Sequence, residues 1–193
     1  DRAAHATRDD RAAHATCDDR AAPGDAATIT SSHNSFRAGR RNTVPLSYDA
    51  ALASSAASWA SGCLFQHSGA PNGENLCLGY TTYESCIAAW AAEEAQYSYA
   101  APGLSATTGH FTQVVWAATT RVGCAKRACA SGEAVGEGGR GKGAGFWRCL
   151  GRARAADPHL PASLLPSGDL IVCHYAPAGN VIGEFAQNVF PKA

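Results

Sequence analysis

The hydrophobic pattern of the chain changes from helical to strand-like spacing about halfway along its 193 residues. In the first half, apolar residues recur at helical spacing and predict helices near 28–38, over 47–62 and over 82–97. In the second half, short β-branched or aromatic runs predict strands at 114–116, 121–125 and 170–175. Helices followed by strands are typical of a layered α+β fold.

Capping residues define the predicted second helix. Ser47 is the expected N-cap, Asp49 lies in the first turn, and Gly62 ends the helix. The following stretch, 66–80, is rich in turn formers and is predicted as a loop.

The first 27 residues contain a nonapeptide repeat, DRAAHATRD followed by DRAAHATCD and DRAAPGDAA. The repeat has no aromatic or β-branched aliphatic residue, so a disordered leader over 1–27 is favoured over a short fluctuating helix. His5 and His14 recur in it, but two histidines on such a segment hold no fixed metal geometry. The folded domain is therefore expected over 28–193.

A long segment without periodicity separates the last two predicted strands. Residues 132–145 include seven glycines, and Arg-rich and Pro-rich pieces follow. A patternless loop of this length is unusual in a compact domain, so we expect a disordered insertion at 130–168, either an evolved loop or translated intron. An RNA-binding segment is the weaker alternative, because the basic residues are few and no aromatic stacking platform accompanies them.

Charge and hydropathy exclude several function classes. Sixteen basic residues balance sixteen acidic ones, so the net charge does not favour nucleic acid as a partner. No apolar window is long enough to predict a transmembrane helix. The sequence contains no methionine, so we expect a fragment or a mature form.

Eight cysteines indicate an oxidising compartment. None forms a CxxC pair, and none clusters with histidines at zinc-finger spacing. We therefore expect the cysteines to form structural disulfides and the protein to be secreted. Spacing alone leaves 105 possible connectivities.

The usual catalytic motifs are missing: the sequence has no GxSxG elbow, HExxH motif, P-loop or GxGxxG turn. Four ionisable residues instead stand in aromatic or glycine-rich surroundings, namely His67, Glu74, Glu93 and His110. Without a partner at metal-ligand spacing, such residues are more often hydrogen-bonded core or surface groups than ligands.

Four strings in order carry a resemblance to a known family. They are GENL (73–76), WAAEEAQYSY (90–99), TGHFTQVVW (108–116) and VCHYAPAGNVIGEF (172–185), with HNSFR (33–37) before them. The chain resembles the CAP superfamily of cysteine-rich secretory, antigen five and pathogenesis-related proteins, and most of all its fungal "pathogen-related in yeast" members. The resemblance covers about 28–129 and 168–192, and it implies a three-layer α-β-α sandwich with a central antiparallel sheet.

The resemblance implies a cavity lined by His67, Glu74, Glu93 and His110. Spacing does not separate Glu93 from Glu94, and Glu93 is chosen because the family pattern is W-x-x-E. His67 and His110 would then hold a weakly bound divalent metal, zinc or magnesium, since two protein ligands retain such an ion only loosely.

The resemblance also implies lipid binding. The fungal relatives bind and export sterols or fatty acids, and the expected lipid-binding loop here contains Tyr97, Tyr99 and Leu104, although the tyrosines could equally be core residues. The alternative is a defence or virulence effector acting on a protein or a membrane surface. A metal-assisted hydrolase using His110 and Glu74 is less favoured, because no nucleophile with an oriented base is recognisable, and we expect no enzyme.

The disulfide pairing expected from plant members joins Cys63 to Cys124 and Cys129 to Cys173. Cys77 and Cys86 would close a local loop. Cys17 and Cys149 lie in the two segments outside the resemblance, which leaves open whether they pair or are free thiols.

Overall fold

The structure is a computed structural model that describes residues 23–129 and 168–193. Most of the predicted leader and insertion, together with Cys17 and Cys149, therefore lies outside the described residues. The first helix begins at Pro23 rather than near Thr28, so its start was predicted too late. Proline suits the first turn of a helix, where its missing N–H would have no partner.

The described elements are helices and strands, with an additional 3₁₀ turn at Glu93–Gln96. The helices are α1 Pro23–Arg37, α2 Ala50–Ala60, α3 Tyr83–Ala92, α4 Gly109–Val115 and α5 Phe185–Asn188. The strands are β1 Ser47–Tyr48, β2 Gly73–Leu78, β3 Arg121–Cys129 and β4 Gly168–Ala176. Along the chain these elements follow the order α1-β1-α2-β2-α3-α4-β3-β4-α5, with the 3₁₀ turn between α3 and α4. Among these described helices, none has the length and apolar character needed to cross a membrane.

Asp49, not Ser47, caps α2. Its carboxylate accepts hydrogen bonds from the backbone N–H groups of Ala51 and Leu52, whereas Ser47 belongs to β1. The prediction of Ser47 was wrong because both residues are good caps, and pairing of Ser47 with β3 decides between them. Thr82 does cap α3, with its side chain accepting from Ser85 N, so the predicted start of that helix is confirmed.

Two elements differ in type from their predictions. The run Val114–Trp116 is not a strand, because Val114 and Val115 end α4, where both are fully buried. Burial in the core outweighs the small β preference of valine. Conversely, β2 occupies a stretch that was predicted as a loop. Its Glu and Asn interrupt the alternation of apolar and polar residues by which a strand is recognised. The predicted strands at 121–125 and 170–175 are confirmed and extend further.

The sheet has the strand order β1-β3-β4-β2. Strands β2, β4 and β3 are antiparallel neighbours, and the two-residue β1 adds a parallel edge to β3. Alternate side chains of β4 pack into two core clusters on opposite faces of the sheet. Leu170 and Val172 pack in the cluster with α2, while Ile171 and Cys173 pack with α1, α3 and α4. The chain is thus the expected three-layer α-β-α sandwich, in which the main strands are antiparallel.

Helix α2 approaches the sheet very closely at Gly123. A Cβ atom placed on Gly123 would lie 2.2 Å from the backbone nitrogen of Ala53 and 2.4 Å from the carbonyl oxygen of Asp49. Small buried alanines on α2, including Ala53 and Ala56, permit the same close contact. This position therefore requires glycine for space rather than for backbone conformation.

Arg37 ties α1 to the connection that follows α4. All five of its N–H groups donate to backbone carbonyls: two to Val44, and one each to Val114, Trp116 and Thr119, at 2.8–3.0 Å. The residue is only 1% exposed. Burial lowers the pKa of Arg37 to about 10, so the guanidinium remains charged at neutral pH.

The disulfides correct two predicted pairs. Cys77–Cys86 is confirmed, but Cys63 bonds to Cys129 and Cys124 bonds to Cys173. The reason is strand alternation, because residues five apart on β3 face opposite sides of the sheet. Cys124 therefore meets its ladder partner Cys173 on the α1 side. Cys129 faces the α2 side, where Cys63 packs.

Candidate functional site

The first histidine-glutamate pair lies at the start of β2. Glu74 is the second residue of the strand, and His67 is in the loop before it. His67 Nδ1 is 2.7 Å from Glu74 Oε1, which also accepts from the backbone N–H of Ser68 at 2.9 Å. The His67 side chain is 68% exposed, whereas that of Glu74 is 6% exposed. A buried carboxylate thus anchors an exposed imidazole.

A further histidine contacts the other oxygen of Glu74. His174, opposite Glu74 in the β2–β4 ladder, places Nε2 2.8 Å from Glu74 Oε2. Burial opposes the charged form of Glu74, but hydrogen bonds from His174, Ser68 and His67 outweigh it and lower its pKa to about 2. Glu74 is therefore an anion throughout the physiological pH range.

The second pair joins the 3₁₀ turn to α4. Glu93 Oε1 is 2.7 Å from His110 Nδ1, and Glu93 Oε2 accepts from the backbone N–H groups of His110 and Phe111 at 3.0 and 3.1 Å. A carboxylate is well placed at the first turn of a helix. The neighbouring Glu94 instead binds Arg40 and Tyr99. The structure thus places Glu93, and not Glu94, on the histidine.

Asn75 links the surroundings of the two pairs. It follows Glu74 on β2, and its Nδ2 donates to the backbone carbonyl of His110 at 3.1 Å and to the Tyr175 hydroxyl at 3.3 Å. The ring of Trp90 stacks on His110 at a centroid distance of 5.9 Å. Both pairs therefore lie near the beginning of β2.

The donor set suits a weak metal site better than a strong one. A carboxylate only accepts, so both histidines carry a proton on Nδ1 and, when neutral, offer the Nε2 lone pair. Within 23–129 and 168–193, no three His, Cys, Asp or Glu side chains are grouped as metal ligands. The residues fit at most two imidazole ligands, His67 and His110, with the glutamates as their outer acceptors.

The expected lipid-binding loop follows the 3₁₀ turn. The ring of Tyr97 packs between Tyr99, edge-on at 5.0 Å, and Phe111, tilted at 5.6 Å. The Tyr99 hydroxyl donates to Glu94 at 2.6 Å and accepts from Arg40 at 3.0 Å. Burial, followed by the hydrogen bond to Glu94, raises the pKa of Tyr99 to about 12. The two tyrosines are therefore partly buried and fixed.

Leu104 differs from the tyrosines, since it is 54% exposed. Its Cδ1 lies 3.8 Å from the position that a Cβ would take on Gly109, the first residue of α4. Asn180 donates to the Gly109 carbonyl at 2.8 Å and is followed by exposed Val181 and Ile182. Leu104 therefore lies against the beginning of α4, and Val181 and Ile182 follow a residue that is hydrogen-bonded to it.

Sequence reasoning missed His174, Asn75 and Ser55, whose hydroxyl lies 3.1 Å from His174 Nδ1. The signal for His174 was present: it continues the alternation of Leu170 and Val172 and so faces α2, across from Glu74. Finding it required knowledge of β2, which the sequence had not indicated. Ser55 and Asn75 have no sequence signal of their own.

Comparison with known families places the chain. The sequence model of the cysteine-rich secretory protein family, CAP, matches residues 30–149. The chain belongs to this family. It is 39% identical over 173 residues to Protein PRY2 of Saccharomyces cerevisiae, covering 87% of this chain and 42% of the yeast protein. It is 32% identical over 158 residues to Pathogenesis-related protein 1 of Arabidopsis thaliana, covering 79% and 76% of the two chains.

The chain thus spans less than half the length of the yeast relative. Solved structures share the fold. A crystal structure of NaASP2 with Zn²⁺ has a TM-score of 0.61 and 20% identity, over 89% of this chain and 87% of that one. Venom allergen-like protein 4 of Schistosoma mansoni has a TM-score of 0.56 and 19% identity, over 83% and 92%.

Proposed function

We propose that this CAP-domain protein is a secreted carrier that binds sterols or fatty acids and acts by binding rather than catalysis. Three described disulfides support an oxidising, extracellular location. Membership of the cysteine-rich secretory protein family also supports an extracellular location. The lipid-binding part of the proposal comes from the resemblance to the fungal members.

The arrangement around Leu104 carries this proposal. The rings of Tyr97 and Tyr99 are held by an edge-on contact with each other and by a tilted contact of Tyr97 with buried Phe111, and an exposed aliphatic side chain follows them. A flat sterol or an acyl chain binds mainly by burying hydrocarbon, and pre-positioned aromatic rings lower the ordering cost of binding. Leu104 would cover the ligand from the solvent side.

The two histidine-glutamate pairs serve stability and ion binding in this proposal. His67 and His110 would hold a divalent ion, zinc or magnesium, through their Nε2 atoms. Glu74 and Glu93 keep the protons on Nδ1. Bound zinc would link the loop before β2 to the start of α4 and would supply a Lewis acid, but lipid binding does not require it.

Substitution of Leu104 tests the lipid site without disturbing the core. Leu104→Ser should weaken binding of labelled cholesterol about tenfold, because the ligand loses one leucine-sized apolar contact. Tyr80→Ser is the matched control, since Tyr80 is also exposed (39%) but follows the opposite end of β2, beyond Gly79. The double tyrosine-to-alanine variant is less suitable, because Tyr99 anchors Arg40 and Glu94.

Equal affinities for wild type and Leu104→Ser would remove this loop from the lipid site. The same conclusion would follow if Tyr80→Ser weakened cholesterol binding as much as Leu104→Ser does. Both variants should keep the wild-type melting temperature within about 2 °C, as expected for exposed positions.

A second function is favoured by the exposed aliphatic residues near α4. Ile182 is 75% exposed, and Val181 and Leu104 are also exposed, which fits an effector that contacts a protein or a membrane surface. Flotation with phosphatidylcholine vesicles distinguishes the two functions. Vesicle binding that is lost in Ile182→Ser, with no saturable cholesterol binding in solution, would favour the effector.

A further inference from the structure

We propose that His174 is a positioning residue for the candidate ion site. In this proposal Ser55, His174 and Glu74 form one hydrogen-bond chain that holds His67 in its Nδ1–H tautomer. The role of the chain in ion affinity rests on the ion site proposed above. Its role in orienting His67 does not.

The direction of the chain follows from its acceptor. Glu74 is a carboxylate that only accepts, so His174 must donate to it from Nε2. In the neutral ring, Nδ1 of His174 is then an acceptor. The Ser55 hydroxyl, 3.1 Å away, is placed to donate to it. Each proton in the chain has one consistent position, ending with His67 Nδ1–H on Glu74 Oε1.

The burial of the chain decreases toward the solvent. His174 is 1% exposed and sits on a central strand, opposite Ser55 of α2. Glu74 is nearly buried, and the His67 side chain is 68% exposed. An exposed imidazole in a loop is normally mobile, so the fixed orientation of His67 depends on a carboxylate that cannot rotate. His174 and Ser68 N–H prevent that rotation, because they hold opposite oxygens.

Removal of the His174 donor should therefore change the orientation and tautomer of His67. Glu74 Oε2 would lose its hydrogen bond from His174, and the carboxylate could turn away from His67. An imidazole without an acceptor at Nδ1 carries its proton mainly on Nε2, and that tautomer cannot offer Nε2 to an ion. Outer-shell partners of this kind typically change metal affinity by about 10–100-fold.

The first test is the His67 tautomer in metal-free protein at fixed neutral pH, from imidazole ¹⁵N chemical shifts. Wild type should show the Nδ1–H form. His174→Leu, which removes the donor at similar volume, should shift His67 toward the Nε2–H form. His174→Gln, whose amide N–H can still donate to Glu74, should restore the wild-type shifts. An unchanged His67 spectrum in folded His174→Leu would overturn the proposal.

Zinc titration by calorimetry is the second readout. His174→Leu should weaken zinc binding about tenfold, and His174→Gln should stay within about threefold of wild type. Failure of wild type to bind zinc would contradict the proposed ion site, while the tautomer still decides the role of His174. If His174→Leu does not fold, Ser55→Ala tests the same hydrogen-bond chain. It should alter the His174 ¹⁵N shifts, and unchanged shifts would overturn the proposed hydrogen-bond chain.

Discussion

Replacement of Arg37 tests how a buried guanidinium joins the layers of this sandwich. In Arg37→Met, the carbonyls of Val44, Val114 and Thr119 lose their side-chain donor, while Trp116 O still accepts from Thr119 N. A buried acceptor left without a donor costs about 1–3 kcal/mol. The buried carbonyls of Val114 and Thr119 and the partly buried carbonyl of Val44, less the cost of burying the guanidinium in the wild type, give an expected loss of about 4 kcal/mol.

Equilibrium unfolding of the oxidised protein in urea at pH 7 measures this loss as a lower midpoint with an unchanged slope. Arg37→Lys should lose less, about 2 kcal/mol, because an ammonium keeps the charge but has only three donors. Arg121→Lys is the control, since Arg121 is half exposed, forms an ion pair with Asp49 and should change stability by less than about 1 kcal/mol. A loss below about 1 kcal/mol in Arg37→Met would refute the reasoning.

Three further predictions concern packing, pH and the segment between β3 and β4. Gly123→Ala should cost at least about 3 kcal/mol in urea unfolding, because its Cβ would strike backbone atoms, whereas Gly103→Ala, with open space around it, should change stability by less than about 0.5 kcal/mol. Burial, partly offset by a hydrogen bond to the Ile29 carbonyl, lowers the pKa of His33 to about 4. The stability that neutral, buried His33 contributes is therefore complete above about pH 6.5 and lost as the pH falls toward 4. Between pH 6.5 and 4.5, the free energy of unfolding of the wild type should fall by about 2–3 kcal/mol more than that of His33→Gln. Equal losses in the two proteins would contradict this prediction. The sequence predicts an insertion without packed structure over 130–168. Replacing residues 130–167 with a four-residue turn between the ladder partners Cys129 and Gly168 should therefore raise stability by about 2 kcal/mol, because the entropy cost of closing a loop grows with its length. A loss of stability would contradict that prediction.

The sequence was sufficient for the fold class and for most elements with strong periodicity. Helix α3 and strands β3 and β4 have uniform apolar patterns and specific turn signals, so local physics and tertiary packing agree. The errors came where packing overrides local preference. Val114 and Val115 favour a strand locally, but α4 buries both completely.

The sequence named the histidines and glutamates of the two pairs, but not the contacts that connect them to the sheet. The family resemblance indicated both histidine-glutamate pairs, yet the contact of Glu74 with His174 depends on strand register, which no local pattern reveals. The disulfides failed for the same reason. Cys124 and Cys129 are close in sequence, and their opposite faces became apparent only with the sheet.

Equilibrium binding of labelled cholesterol to the oxidised, purified chain tests the central claim most directly. Unlabelled ergosterol and palmitate serve as competitors. A lipid carrier should show saturable binding at micromolar or lower concentration, displaced by at least one competitor and weakened in Leu104→Ser. An absence of saturable binding for either lipid class, with the disulfides intact, would contradict the carrier function.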